Sequence, residues 1–204
     1  MRRLGGIAVA VVILLALAAG AAWVYLQQQF EAPGPLAEET IVIVPRGAGL
    51  VSIAGDLAEA GVVSDAQVFA LGVRLFADAT ALKAGEYAFA PGSSMQEVAA
   101  LIASGRTVVH RLTVPEGLTS VEIVALLEAA EPLEGEIGEV PPEGALLPET
   151  YHFHRGDSRA EVLSRMQQSM AAALDEIWNR RAEGLPLSSP EEALVLASIV
   201  EKET

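Results

Sequence analysis

The sequence has 204 residues, room for one or two modest domains; 51% are hydrophobic but only 5% aromatic, so a core must be built from Ala, Leu, Val and Ile. It contains no cysteine, which excludes disulfides and thiolate metal sites and leaves the redox compartment open. The formal charge of −14 argues against nucleic acid as a partner, because phosphate binding needs a basic surface.

Residues 5–26 are an uncharged apolar run preceded by Arg2 and Arg3. At about 1.5 Å per residue it is long enough to cross a bilayer core of about 30 Å. The two arginines keep the short N-terminus cytoplasmic, and Trp23 and Tyr25 fall where an outer aromatic belt would lie. The competing reading is a cleaved signal peptide, for which Ala18-Ala19-Gly20 offers small residues. The run is longer than the roughly 7–15 residue core of such peptides, so the reading here is an uncleaved, single-pass anchor over 1–26. Residues 27–38, polar and then interrupted by Pro33-Gly34-Pro35, read as a linker.

From Glu39 onward one pattern recurs three times: a short extended run, a Pro/Gly turn, then a helix. It covers residues 41–61, 87–105 and 111–129. In the first unit Leu50, Ile53, Ala54 and Leu57 have helical spacing. Ser93 or Ser94, and Thr119 or Ser120, are placed to cap the later helices, with Glu97 and Glu122 positioned for reciprocal contacts. Gly61 and Gly105 close two of the helices. A further helix is predicted over 65–76. This spacing indicates an α+β fold and says nothing about ligand.

Residues 131–144 are acidic and rich in Pro and Gly, a predicted surface loop. The segment EGALLPETYHFHRGDS (143–158) is compact and apolar-aromatic, with a tight turn at Gly156-Asp157. Residues 158–183 predict one long amphipathic helix, with Val162, Leu163, Met166, Met170, Leu174, Ile177 and Trp178 as a core stripe and Gly184 ending it. The last stretch, 190–204, predicts a helix begun by Pro190 with Glu191 and Glu192 in its first turn. On a helical wheel Ser198, Lys202 and Glu191 form the expected wet side. Leu196, Ile199 and Val200 lie opposite with Glu203 among them, and Glu201 falls beside Leu194 and Ala197.

His152 and His154 alternate about Phe153 and would share a strand face, but no third ligand stands at suitable spacing, so no metal is expected. His110 reads as a surface residue. There is no Gly-rich phosphate loop and no nucleophile elbow, and no cofactor is expected. The carboxylates of the terminal helix remain. A pair at i, i+2 is commonly a solvated helix end. Glu203, among apolar neighbours, is instead suited to a raised pKa and to general-acid work on a glycosidic oxygen. Asp157 and Glu149 are possible second acids.

The chain resembles the N-terminal portion of the endolytic murein transglycosylase family (MltG, YceG-like). The resemblance runs in order through the anchor, ETIVIVPRG (39–47), LKAGEYAFAPGSSMQEVAALIASG (82–105), TVPEGLTSVEIVALL (113–127), EGALLPETYHF (143–153) and LASIVEKET (196–204), the last being the most specific. It implies an α+β architecture: a transmembrane helix, a LysM-like small α+β subdomain over 39–109 suited to N-acetylated glycans, and the first part of an α+β catalytic domain over 110–204. Glu203 matches the family's catalytic glutamate. It would protonate the oxygen between N-acetylmuramic acid and N-acetylglucosamine, then take the proton of the muramyl C6 hydroxyl as that oxygen closes on C1, leaving a 1,6-anhydro end.

Such a lyase uses neither water nor metal, and the sugar's 2-acetamido group is the expected helper. Glu149 stands where the family pattern usually has Asp. The resemblance puts Glu149 and Tyr151 beside the cleft as substrate-side or supporting groups, with Glu201 also near it. The alternative is that Pro148 and Tyr151 simply fix packing. Implied partners are peptidoglycan strands, the bacterial inner membrane and penicillin-binding synthases, with the bulk of the chain periplasmic. Family members continue past EKET with more of the cleft wall, so this chain is expected to be a fragment or truncated product, weakly active or inactive by itself. The rival expectations are a non-catalytic, membrane-tethered glycan-binding module and a scaffold for synthases.

Overall fold

The computed structural model describes residues 2–203, and side chains from residue 11 onward apart from Lys202. Met1 and Thr204, the last residue of the EKET motif, therefore lie outside the described residues. The chain divides into two compact units, the first ending at Val108 and the second beginning at Val109. Each is a mixed α/β unit with a small antiparallel sheet.

The first unit begins with α1 (Arg2–Glu31), one continuous helix whose described portion is apolar and long enough to cross a membrane. From residue 11 to Tyr25 its side chains are exposed, as expected of a candidate membrane span. The helix does not stop where the apolar run stops. Residues 27–31, expected to belong to a linker, are its last turns, and Phe30 is buried to 2% exposure in the core of the unit. Gln27, Gln28 and Gln29 stay exposed and are good helix formers, so the helix continues at little cost while the Phe30 ring is buried.

After it come β1 (Thr40–Val44), α2 (Leu50–Glu59), α3 (Ala66–Phe76), β2 (Gly85–Phe89) and α4 (Met95–Ser104). β1 and β2 pair antiparallel with Val42 opposite Tyr87. Val42 and Val44 point into the core while Ile41 and Ile43 face out, the period-2 alternation of a half-buried strand. Leu57, Phe69, Val73, Tyr87, Val98 and Ile102 fill the core.

Local chemistry accounts for the ends of these helices. Asp65 caps α3 by accepting from the amides of Gln67 and Val68 at 2.7 and 2.9 Å. Ser94, rather than Ser93, caps α4 in a full capping box with Glu97, and Gly105 ends that helix in the left-handed region at φ 74°. Tyr87, without solvent exposure, donates its hydroxyl to the carbonyls of Lys83 and Ile102, and burial raises its pKa.

The second unit contains β3 (His110–Thr113), α5 (Ser120–Ala129), β4 (Thr150–Phe153), α6 (Arg159–Asn179) and α7 (Pro190–Glu203). β3 and β4 pair antiparallel, and Val114 N–H extends the ladder to the Glu149 carbonyl at 3.0 Å. Thr119 caps α5 in a second capping box, with Glu122. Ile123, Leu127, Leu133, Phe153, Val162 and Met166 form the core. α6 stops at Asn179, short of the expected end at Gly184. There the Arg181 guanidinium stacks on Trp178 at 4.0 Å and donates to its carbonyl, a side-chain closure of the helix that takes the role expected of glycine.

Candidate functional site

Three segments far apart in sequence converge in the second unit around a cleft of about 620 Å³. The turn after β3 and the start of α5 contribute Gly117 to Ser120 and Ile123. The loop before β4 contributes Glu143, Gly144, Leu146 and Pro148. α7 contributes Leu194, Val195, Ala197, Ser198 and Glu201, and Met170 of α6 closes one side. Apolar side chains make most of the lining, and two carboxylates, Glu143 and Glu201, stand on it.

The backbone of this site demands glycine at two places. Gly144 has φ +76°, which strains any L side chain, and a Cβ there would stand 2.7 Å from Cδ2 of Leu194, so the Leu194 side chain would have to shift. Gly117 has φ +80°, and a Cβ there would stand 3.5 Å from Oε1 of Glu201, so that carboxylate lies directly against the turn.

Glu143 is tied down. Its carboxylate accepts from Ser120 N–H at 3.0 Å, placing a negative charge at the positive end of α5, and buried Ser120 donates its hydroxyl to the Pro142 carbonyl at 2.9 Å. The 143–148 loop is thereby locked to the start of α5, and it builds one wall of the cleft. No sequence signal marks Glu143 as a site residue. Its partner is 23 positions away, beyond the reach of helical or strand periodicity.

α7 presents its sides to the site differently from the helical wheel. Ser198, expected on the wet side, lines the cleft together with Leu194, Ala197 and Glu201. Leu196, Ile199 and Val200, expected to be buried, are 49–56% exposed, and Glu203 is exposed with them. The middle of the helix, residues 193–200, is apolar nearly all round, so periodicity cannot choose between its faces. Gly144 decides, because it lets Leu194 approach. At the start of α7 the Ser189 hydroxyl, and then the helix backbone, hold the exposed Glu191 carboxyl below its ordinary pKa.

The other predicted residues separate. Glu149 is exposed, and Tyr151 is 6% exposed in the core. The Tyr151 hydroxyl donates to the Leu147 carbonyl at 2.8 Å, which holds the end of the cleft loop in place. Burial raises its pKa, the nearby Glu149 carboxylate adds to this, and Ser169 and Arg165 oppose it. Asp157 accepts from His154 N–H at 2.8 Å in the turn before α6, away from the cleft lining. His152 on β4 and His154 just past the strand's end are both exposed, while His110 stacks on Phe153 with ring centroids 5.7 Å apart. Among the described residues no group of three or more His, Cys, Asp or Glu is placed to hold a metal ion.

A protein-family model described as the YceG-like family matches residues 42–204 of the chain. A search of curated proteins finds no match. Among solved structures, a crystal structure of a yceG-like protein from Listeria monocytogenes is similar at 23% identity, with a TM-score of 0.40, over 70% of this chain. The chain covers 57% of the length of that protein.

Proposed function

This chain belongs to the YceG-like family, and from that premise we propose that it serves an endolytic peptidoglycan lytic transglycosylase held in the bacterial inner membrane by α1, its bulk on the periplasmic side. The observation that carries the reading is the cleft. Its walls take residues from TVPEGLTS, from EGALLP and, with Ala197, Ser198 and Glu201, from LASIVEKE, stretches through which the family resemblance also runs in this part of the chain. An apolar lining with carboxylates at its edge suits a neutral, polyhydroxylated chain, whose sugar faces pack on aliphatic side chains while hydroxyls meet charged acceptors.

In this reading a carboxylic acid of α7, Glu203 by family resemblance, gives its proton to the oxygen leaving C1 of N-acetylmuramic acid. The resulting carboxylate then accepts the C6 hydroxyl proton as O6 bonds to C1. One residue is acid and then base, the proton account closes, and no water is consumed. Residues 39–109, with the strand, two helices and pairing strand of the first unit (β1, α2, α3, β2) and α4 after them, are read as a LysM-like module that holds the same glycan. Glu149, Tyr151 and Glu201 are read as supporting groups, Tyr151 through the loop it anchors. Penicillin-binding synthases are proposed partners in setting strand length.

The rival is a membrane-tethered glycan-binding module without catalysis, and the exposed position of Glu203 on α7 favours it. Mass spectrometry of sacculi digested with the full-length protein separates the two. Release of 1,6-anhydromuramyl ends, reduced by about 100-fold or more in Glu203→Gln, is the expected outcome. No anhydro ends from the wild-type protein, with binding to sacculi retained, would establish the rival. Full activity in Glu203→Gln with loss in Glu201→Gln would move the acid to the residue that lines the cleft.

A further inference from the structure

The junction between α1 and the first unit has no hinge. α1 runs unbroken to Glu31, and Phe30 is held in the core against Phe69 and Phe76, with ring centroids 6.5 and 5.7 Å away. Gly72 of α3 lies so close beneath that ring that a Cβ would stand 2.3 Å from Phe30 Cδ2. One face of α3 is therefore pressed against the helix that enters the membrane.

The ring contacts also give the direction of α3. Phe30 touches both Phe69 and Phe76, whereas Trp23, two turns back along α1, packs edge-on against Phe76 at 4.9 Å. Phe69 and Phe76 are themselves two turns apart on α3. α3 thus runs down α1 toward the apolar run, and its last turn reaches the level of Trp23. Trp23 lies inside the uncharged stretch 5–26, so the end of α3 stands at the height of the span's outer boundary. On the outer side of that end Leu71 and Leu75, four residues apart, are each 46% exposed, with exposed Arg74 beside them.

We propose that the C-terminal end of α3, with Leu75 and Phe76 beside Trp23, is a second membrane contact that seats the first unit in the headgroup layer at a fixed attitude to the span. Leu75 and the two aromatic rings enter the boundary between headgroups and acyl chains, and Leu71 lies at its outer edge. Arg74 reaches the lipid phosphates, where a guanidinium forms paired hydrogen bonds. The occupant is the bilayer, because the patch is continuous with a helix whose own lipid-exposed surface fixes where the membrane lies. The inference rests on reading α1 as a membrane span.

Because the chain has no cysteine, single labels report the arrangement. Leu75→Cys, Leu15→Cys and Val51→Cys variants of the full chain, each carrying an environment-sensitive fluorophore, are reconstituted in phosphatidylethanolamine–phosphatidylglycerol vesicles containing nitroxide-labelled lipid. All three positions are exposed side chains on helices, so the substitutions leave the core intact. Position 15 reports the span and position 51, on α2, the aqueous surface. The expected result is lipid quenching at position 75 within about twofold of that at position 15, and none at position 51. Quenching at 15 but not at 75 overturns the proposal, whether the label at 75 is open to aqueous iodide (a solvated surface) or shielded from it (a protein contact). Absence of lipid quenching at 15 as well overturns the membrane-span reading and the proposal with it.

Discussion

At the scale of single residues, the second unit depends on side chains that satisfy backbone groups left over by secondary structure. Arg159 does most. Its guanidinium donates to the carbonyls of Leu127, Glu128 and Ala130 at the end of α5, and to Gly135 in the following loop, at 2.9–3.3 Å. Helix ends leave such carbonyls without partners, and one planar fork reaches several of them together. Arg159→Met is expected to lower the stability of the second unit by about 2–3 kcal/mol. Arg159→Lys should recover only part of this, since an ammonium cannot span four acceptors. Urea titration followed through Trp178 measures both, and an unchanged midpoint in Arg159→Met would contradict the assignment. Glu143 is the corresponding case beside the cleft, where a carboxylate meets the amide that α5 leaves open.

At the scale of elements, the two capping boxes give the same chemistry in both units. In α4 the Glu97 carboxylate accepts from the backbone N–H of Ser94 and from its hydroxyl, and these bonds, the backbone one first, hold its pKa below 4.5. A folded-state pKa below the unfolded one means that this contribution is present at pH above about 4.5. It is lost as acid protonates the carboxylate on the way down through the folded value. The stability difference between wild type and Glu97→Gln should therefore be constant near neutral pH and shrink on acidification, as read by denaturant midpoints across pH. A difference that grew below pH 4.5 would reverse the sign and refute the account. Ser94→Ala, which removes the hydroxyl from the N-cap, is expected to cost about 1 kcal/mol.

At the scale of the whole molecule, each unit has its own core: Leu57, Phe69 and Tyr87 are central to one, Leu127, Val162 and Met166 to the other. The two tryptophans serve as separate reporters, Trp23 against Phe76 and Trp178 against Arg181. Leu57→Ala and Leu127→Ala each remove a side chain with no solvent exposure, and each should destabilise its own unit by about 2–5 kcal/mol. In a Trp178→Phe background Leu57→Ala should shift the Trp23 transition to lower denaturant, and in a Trp23→Phe background Leu127→Ala should do so for Trp178. A Trp23 transition insensitive to Leu57→Ala would mean that α1 does not share the core that Phe30 enters.

The amino-acid sequence by itself determined what is local. The apolar run of α1, the three strand–turn–helix stretches, the capping of α4 and α5 and the left-handed glycines that end helices all follow from contacts within a few residues. Hydrogen bonds and periodicity at that range are written in neighbouring side chains. Tertiary structure alone decided which way each surface turns. α1 does not end at the edge of its hydrophobic run, because Phe30 finds Phe69 and Phe76 some forty residues on. α7 turns Leu194, Ala197, Ser198 and Glu201 to the cleft, where Gly144 leaves room for Leu194, and Glu143 joins the site through a bond to Ser120. Each of these outcomes balances burial of apolar area against the space left by a distant backbone, and no property of the nearby sequence records that space.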